Sequence, residues 1–187
     1  MILTPLVEQI RQKVQSPYPV ATLGTVLEAE ASLGFAIPSL LKELYLYVGN
    51  GGFGPSDCYL IGLQGGHEYW GDTLATLYAD FRHWQDTKYL KDGKVYSPWP
   101  EQLLPAFLWP CTIYTCLDCS QPETPIYIYD TNFIKADNRH LPRPLMKHKA
   151  SLSEWLEAIN TGEDLWIEMD QLSRTMAERL TQEQQSS

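Results

Sequence analysis

The sequence predicts an α+β fold, a central antiparallel sheet flanked by N-terminal and C-terminal helices. Two observations carry this. Helical periodicity dominates both ends of the chain, while the β-forming runs cluster in its middle, and segregated elements favour α+β over an alternating sheet. The later strands are joined by short turns with no helical crossover, which requires antiparallel pairing. The helices are expected to clasp one face of the sheet and leave an acidic docking face outside.

The elements follow in order. Thr4 before Pro5 is an N-cap with proline at the first helical position, and Leu6, Val7, Ile10 and Val14 then fall on one face. Ser16-Pro17-Tyr18-Pro19 breaks that helix. A second helix spans about 22–33 and stops at Gly34, because glycine adopts the left-handed conformation at no steric cost. A third carries Leu40, Leu41, Leu44, Tyr45 and Val48 inward, with Lys42 and Glu43 outward, and ends at Gly49. Residues 59–63 read as the first strand, weakened by Gly62, and 64–66 as a loop. Asp72 is placed to cap a fourth helix with the face Leu74, Leu77, Tyr78 and Phe81, and Trp84 nearby.

Residues 91–110 read as loop, punctuated by Pro98, Pro100, Pro105 and Pro110. Strands at 112–117 and 126–129 flank a turn at 118–123 and form a hairpin with a loose loop. Asp130-Thr131-Asn132 turns the chain again, and Phe133-Ile134 is placed to start a short strand. Ser151 and Glu154 have capping-box spacing ahead of a helix that faces inward through Leu152, Trp155, Leu156 and Ile159. A last helix covers about 163–180. Residues 1–181 are expected to form a single domain, with 182–187 a frayed tail.

A chain of 187 residues with a 44% hydrophobic fraction is long and apolar enough to bury one sizeable core. No apolar run approaches the ~20 residues that cross a bilayer. The start, Met1-Ile2-Leu3-Thr4-Pro5, lacks a basic segment followed by an apolar one. A soluble cytoplasmic protein is the expectation, and reduced cysteines with it. The net charge of −9 is uneven: residues 151–187 hold eight acids and two bases, whereas Lys135, Arg139, Arg143, Lys147 and Lys149 outnumber Asp137 within 135–149. An acidic chain disfavours nucleic acid as a partner and favours basic proteins.

Catalytic and metal motifs are incomplete. Cys116-Leu117-Asp118-Cys119 supplies one CxxC pair. A structural zinc site needs two more ligands, from Cys58, Cys111, His67, His140 or His148. As a redox pair it sits at the end of a strand, away from the helix N-terminus that would lower its pKa. His67-Glu68 starts like the zinc-protease motif, but Gly71 stands where the second histidine belongs. Gly62-Leu63-Gln64-Gly65-Gly66 lacks the Lys-Ser/Thr of a phosphate loop. No catalytic residue, cofactor or metal is therefore expected. The aromatic surplus is more informative: Trp99 and Trp109, with Tyr96, fall in the proline-rich segment, and tryptophans are favoured interface anchors.

Residues 30–52 carry a recognisable block: Glu30, Leu33-Gly34, Ile37-Pro38, a short helix, then Asn50-Gly51-Gly52. Ser151-Leu152-Ser153-Glu154-Trp155-Leu156 adds a second motif near the C-terminus, and the strand at 111–118 a third. The chain resembles the SMI1/KNR4 (SUKH) superfamily over about 20–165, with Ile37 where leucine is more usual. The resemblance implies a helix-flanked antiparallel sheet and a non-enzymatic, protein-binding role. It implies a bacterial immunity protein that neutralises a toxin, often a nuclease, by direct binding. The alternative is a housekeeping regulatory scaffold, as in fungal members. A thiol or zinc enzyme built on Cys116 and Cys119 is the remaining reading. Glu43, Asn50, Asp57, Trp99, Trp109 and Asp118 are the expected contributors to the protein-binding face, with Gly51 and Gly52 shaping the turn.

Overall fold

Caps and glycines set the helix ends much as the sequence predicts. The computed structural model describes residues 3–86, 99–133 and 145–185. Helix α1 (Pro5–Lys13) is capped by the Thr4 hydroxyl, which accepts from the Val7 N–H, and it buries Val7 and Ile10. Helix α2 (Leu23–Leu33) is capped by Thr22 and ends at Gly34, φ 80°, whose N–H donates to the Glu30 carbonyl at 2.9 Å. Helix α3 (Ser39–Glu43) runs on into a π turn at Leu44–Val48, closed by the Gly49 N–H donating to the Leu44 carbonyl. Leu41, Leu44 and Tyr45 face inward. So does Glu43, expected outside.

Helix α4 (Leu74–Asp86) is capped by Thr73, not Asp72. The Thr73 hydroxyl accepts from the Thr76 N–H, and the Thr76 hydroxyl accepts in return from the Thr73 N–H at 2.9 Å. Asp72 instead closes a tight turn with Tyr69.

Five strands form an antiparallel meander in chain order: β1 (Tyr59–Leu60), β2 (Leu103–Trp109), β3 (Ile113–Asp118), β4 (Ile126–Asp130) and β5 (Leu145–Lys149). The expected first strand keeps only two ladder residues, with the Ile61 N–H still donating to the Ala106 carbonyl at 2.9 Å. Two readings are corrected. Residues 103–109, expected as loop, form β2, in which Pro105 is accommodated where the pairing with β3 shifts register, the kind of bulge that tolerates proline inside a sheet. Phe133 ends a short 3₁₀ turn, Thr131–Phe133, and starts no strand. Tyr96, Ile134, Lys135, Asp137, Arg139, His140 and Arg143 lie outside the described residues.

Helices cover both faces of the sheet, not one. Register places Phe107, Trp109, Ile113, Thr115 and Leu117 on one face, and Leu108, Tyr114, Cys116 and Tyr129 on the other. Helix α5 (Leu152–Thr161) seals the first through Trp155, whose ring lies 4.5 Å from Phe107, and helix α6 (Leu165–Gln185) places Trp166 5.9 Å from Trp109. Helix α4 seals the second: Phe81 meets Tyr114, Trp99 and Tyr129 edge-on at 4.7–5.7 Å. Double coverage explains why every residue of β2 is buried.

Ser151 caps α5 as its spacing predicts, while Glu154 reaches back to the Ala150 N–H. Helix α6 extends to Gln185, beyond the expected end near 180.

Trp155 is fully buried. Trp155→Ala is expected to cost about 3–5 kcal/mol, and loss of the exposed Thr73 cap in Thr73→Ala about 1 kcal/mol. Urea denaturation of the two variants against wild type checks both magnitudes.

Candidate functional site

The recognisable block of residues 30–52 proves to be a set of backbone ties. Glu30 Oε1 accepts from the Ile37 N–H at 2.7 Å and from Lys42 Nζ at 2.9 Å, so one carboxylate fixes the turn between α2 and α3. Glu43 accepts from the Thr4 N–H at 2.8 Å. In a capping box a glutamate three residues into the helix satisfies the N-cap N–H; here Glu43 does so from another helix, and its negative charge suits the positive end of α1.

Asn50 ties the glycine turn to the loop after β1. Its Oδ1 accepts from the Leu63 N–H at 2.8 Å, its Nδ2 donates to the Gln64 carbonyl at 3.3 Å, and its own carbonyl accepts from the His67 N–H at 2.9 Å. The two loops cross so closely that a Cβ on Gly66 would lie 2.2 Å from the Asn50 carbonyl oxygen, and one on Gly51 (φ 87°) would lie 2.8 Å from the Gly62 backbone. Tyr45 adds a bond to the same junction, its hydroxyl donating to the Ile61 carbonyl at 2.6 Å.

Two histidines lie partly inside. His67 is held edge-on against Tyr59 (4.4 Å) and Tyr18 (5.3 Å), with Nδ1 3.3 Å from the Tyr18 hydroxyl and a buried Nε2 that has no partner. His148 of β5 is 2% exposed in its side chain; its Nε2 lies 3.1 Å from Glu168 of α6, and its buried Nδ1 is unpartnered. Burial pushes the pKa of both rings below the ordinary range, for His148 against the opposing pull of Glu168. The neutral Nε2–H tautomer of His148 donates to Glu168; a second proton on Nδ1 would have no acceptor. Lys149 also holds Glu168 at 2.9 Å and Glu163 at 3.6 Å.

The six expected docking residues are not brought together. Glu43, Asn50, Trp99 and Trp109 are between 0% and 4% exposed. Trp99 donates from Nε1 to the Leu103 carbonyl at 2.7 Å, and Trp109 to the Thr115 hydroxyl at 2.8 Å. These four belong to the framework. Asp57 is exposed ahead of β1, and Asp118 is half-buried at the end of β3, where it borders an open cleft of about 300 Å³ with Glu101, Tyr127 and Leu145. Register separates the two aspartates: Asp118 pairs with Leu103 at one end of β2, while Tyr59 pairs with Leu108 near the other.

The two thiols of the CxxC pair are unsuited to nucleophilic chemistry. Cys116 is buried inside β3 and burial raises its thiol pKa well above the ordinary value. Burial, then the nearby Asp118 carboxylate, pushes Cys119 up to about 12. Among the described residues no cluster of three or more His, Cys, Asp or Glu is placed to hold a metal ion.

The surface residue that sequence reasoning missed is Trp70, 91% exposed at the tip of the Tyr69–Asp72 turn. Trp70 and Gly71 have φ of 55° and 91°, the pattern of a type I′ turn. Gly71 is the one turn-favouring residue of the central pair, and a bulky Trp before it is not among the pairs that mark such a turn. Among the described residues no helix is long and apolar enough to cross a membrane.

Fold and ties together define an α+β domain whose buried polar side chains serve its loops. The family model of SMI1 / KNR4 (SUKH-1) matches residues 21–158, and the chain belongs to this family. No curated protein matches the chain.

Asn50→Ala would leave the buried Leu63 N–H unpaired and is expected to cost about 1–3 kcal/mol, read as a lowered denaturation midpoint. A pH dependence follows from the histidines. Both pKa values are depressed on folding, so the unfolded chain takes up protons first as pH drops below ~6.5. Their contribution to stability is complete above that pH and is lost below it. Thermal melting from about pH 7.5 to about pH 5.5 should show a falling midpoint, with a shallower slope in His148→Gln.

Proposed function

We propose that the chain is an immunity protein, a non-enzymatic domain that neutralises a toxin by binding it directly in the cytoplasm. Residues 1–181 act as one unit in this reading, with α6 docked on β5 through Glu168. Family membership supports a SUKH-type domain. The observation that carries the rest is charge: between residues 14 and 81 Lys42 is the one lysine or arginine and is paired with Glu30, while Glu28, Asp57, Glu68 and Asp80 are exposed and Asp72 half-buried. Such a surface draws in a basic partner and repels nucleic acid, and complementary charge speeds encounter. A nuclease domain, basic because it must hold phosphates, is the toxin class that fits. Inhibition is then stoichiometric occlusion, with no bond made or broken.

Pull-down from the native host, followed by light scattering of the purified pair, should give a 1:1 complex with a basic toxin domain whose activity it abolishes. Recovery of the chain without a toxin partner would sink the reading. Chelation, and the Cys116→Ser, Cys119→Ser double variant, should leave binding and inhibition unchanged; loss of activity on metal removal would favour an enzyme.

A further inference from the structure

We infer that the Trp70 turn is the anchor through which this domain grips a basic protein partner, with the indole face receiving a lysine or arginine side chain. The inference rests on the protein-binding reading above and adds the place and the chemistry of contact.

Trp70 is the most exposed of the large hydrophobic side chains among the described residues, at 91%, yet its support is rigid. The Tyr69 N–H donates to the Asp72 carbonyl at 2.8 Å and the Asp72 N–H returns to the Tyr69 carbonyl at 2.9 Å. Tyr69 is partly buried and packs against the core, so one side of the turn is tied to the body of the domain. The other side leads into the Thr73 cap of α4, and the Leu74 N–H donates to the Gly62 carbonyl at 2.8 Å. Trp70 itself is held at φ 55°, a backbone region that a bulky L residue rarely occupies. An aromatic ring kept in water, on a backbone that disfavours it, by a scaffold that fixes it, is the arrangement of a preformed contact.

The surroundings specify the partner. Glu68, exposed, and Asp72, half-buried, stand two residues before and after Trp70, and neither has an ion-pair partner among the described residues. No lysine or arginine occurs anywhere from residue 43 to residue 81. An exposed indole on a turn flanked in sequence by unpaired carboxylates suits a cationic side chain over the ring, because the ring face attracts it and the local negative charge adds to that attraction. It disfavours an acidic or purely apolar occupant, which would bury those carboxylates unpaired.

The test is photo-crosslinking in the native host with p-benzoylphenylalanine placed at position 70 and, in parallel, at the exposed positions 27 and 167. The captured protein is then purified and titrated against wild type and Trp70→Ala. The inference expects a basic protein captured from position 70, at least tenfold weaker binding in Trp70→Ala with an unchanged melting temperature, and weakening when NaCl is raised from about 50 to about 300 mM. Glu68→Lys with Asp72→Lys should weaken binding likewise. Capture from position 27 or 167 alone, with Trp70→Ala binding as wild type, overturns this anchor and leaves the protein-binding reading standing. An acidic protein at position 70 overturns the cationic chemistry. Capture from none of the three, with no partner in the pull-down, overturns both readings.

Discussion

Strand β2 shows no side chain to solvent from Leu103 to Trp109, and that constraint organises the rest of the molecule. A strand buried on both faces needs a helical layer on each side. The chain supplies them from either side of the β2–β5 stretch, α4 before it against Tyr114 and Tyr129, and α5 with α6 after it against Phe107 and Trp109. The β2–β3 and β3–β4 connections are short, whereas the β1–β2 connection carries α4, which closes one side of the core. Trp99 and Trp109, whose size and setting resemble interface anchors, are drawn inward because each fills a gap between layers and finds an acceptor for its indole N–H.

The polar interior follows from the same closure. Three segments outside the ladder, the start of α1, the α2–α3 turn and the loop after β1, would carry unpaired backbone groups if left alone. Glu30, Glu43 and Asn50 satisfy them, at the Ile37, Thr4 and Leu63 N–H groups respectively. The most recognisable residues of the chain are therefore structural. In this chain their side chains are taken up by backbone, so they are not free to contact a partner.

Helices α1, α2 and α5 were legible because cap, apolar face and stop signal agree within each. Strand β2 was not, since Pro105 weighs against a ladder, and only the register shift beside it reconciles the two. Strand β5, Leu145-Met146-Lys147-His148-Lys149, lacks β-forming residues and owes its place to pairing with β4 and to α6, whose Glu168 takes His148 and Lys149. Tertiary context decides such segments. Glu43 looked like a surface residue because its partner, the Thr4 N–H, lies 39 positions away. Asp57 and Asp118 were placed on the surface, but that they sit toward opposite ends of the sheet depends on strand register, which no local pattern discloses.

A domain built this way has little freedom to place function in its interior. The buried Glu43 and Asn50 are occupied by backbone, Asp130 by Asn132 and Ser173, the buried thiols are held protonated by desolvation, and the two inward histidines favour their neutral forms. What can vary without cost to the core is the exposed tips of the turns, and recognition on such a frame belongs where a loop is short, tied at both ends and solvent-facing. The Tyr69–Asp72 turn meets all three conditions, whereas the loop around Asn50, though richer in hydrogen bonds, has its side chains turned inward. Rigidity at both places comes from the same scaffold; exposure separates the one that can meet a partner from the one that holds the fold.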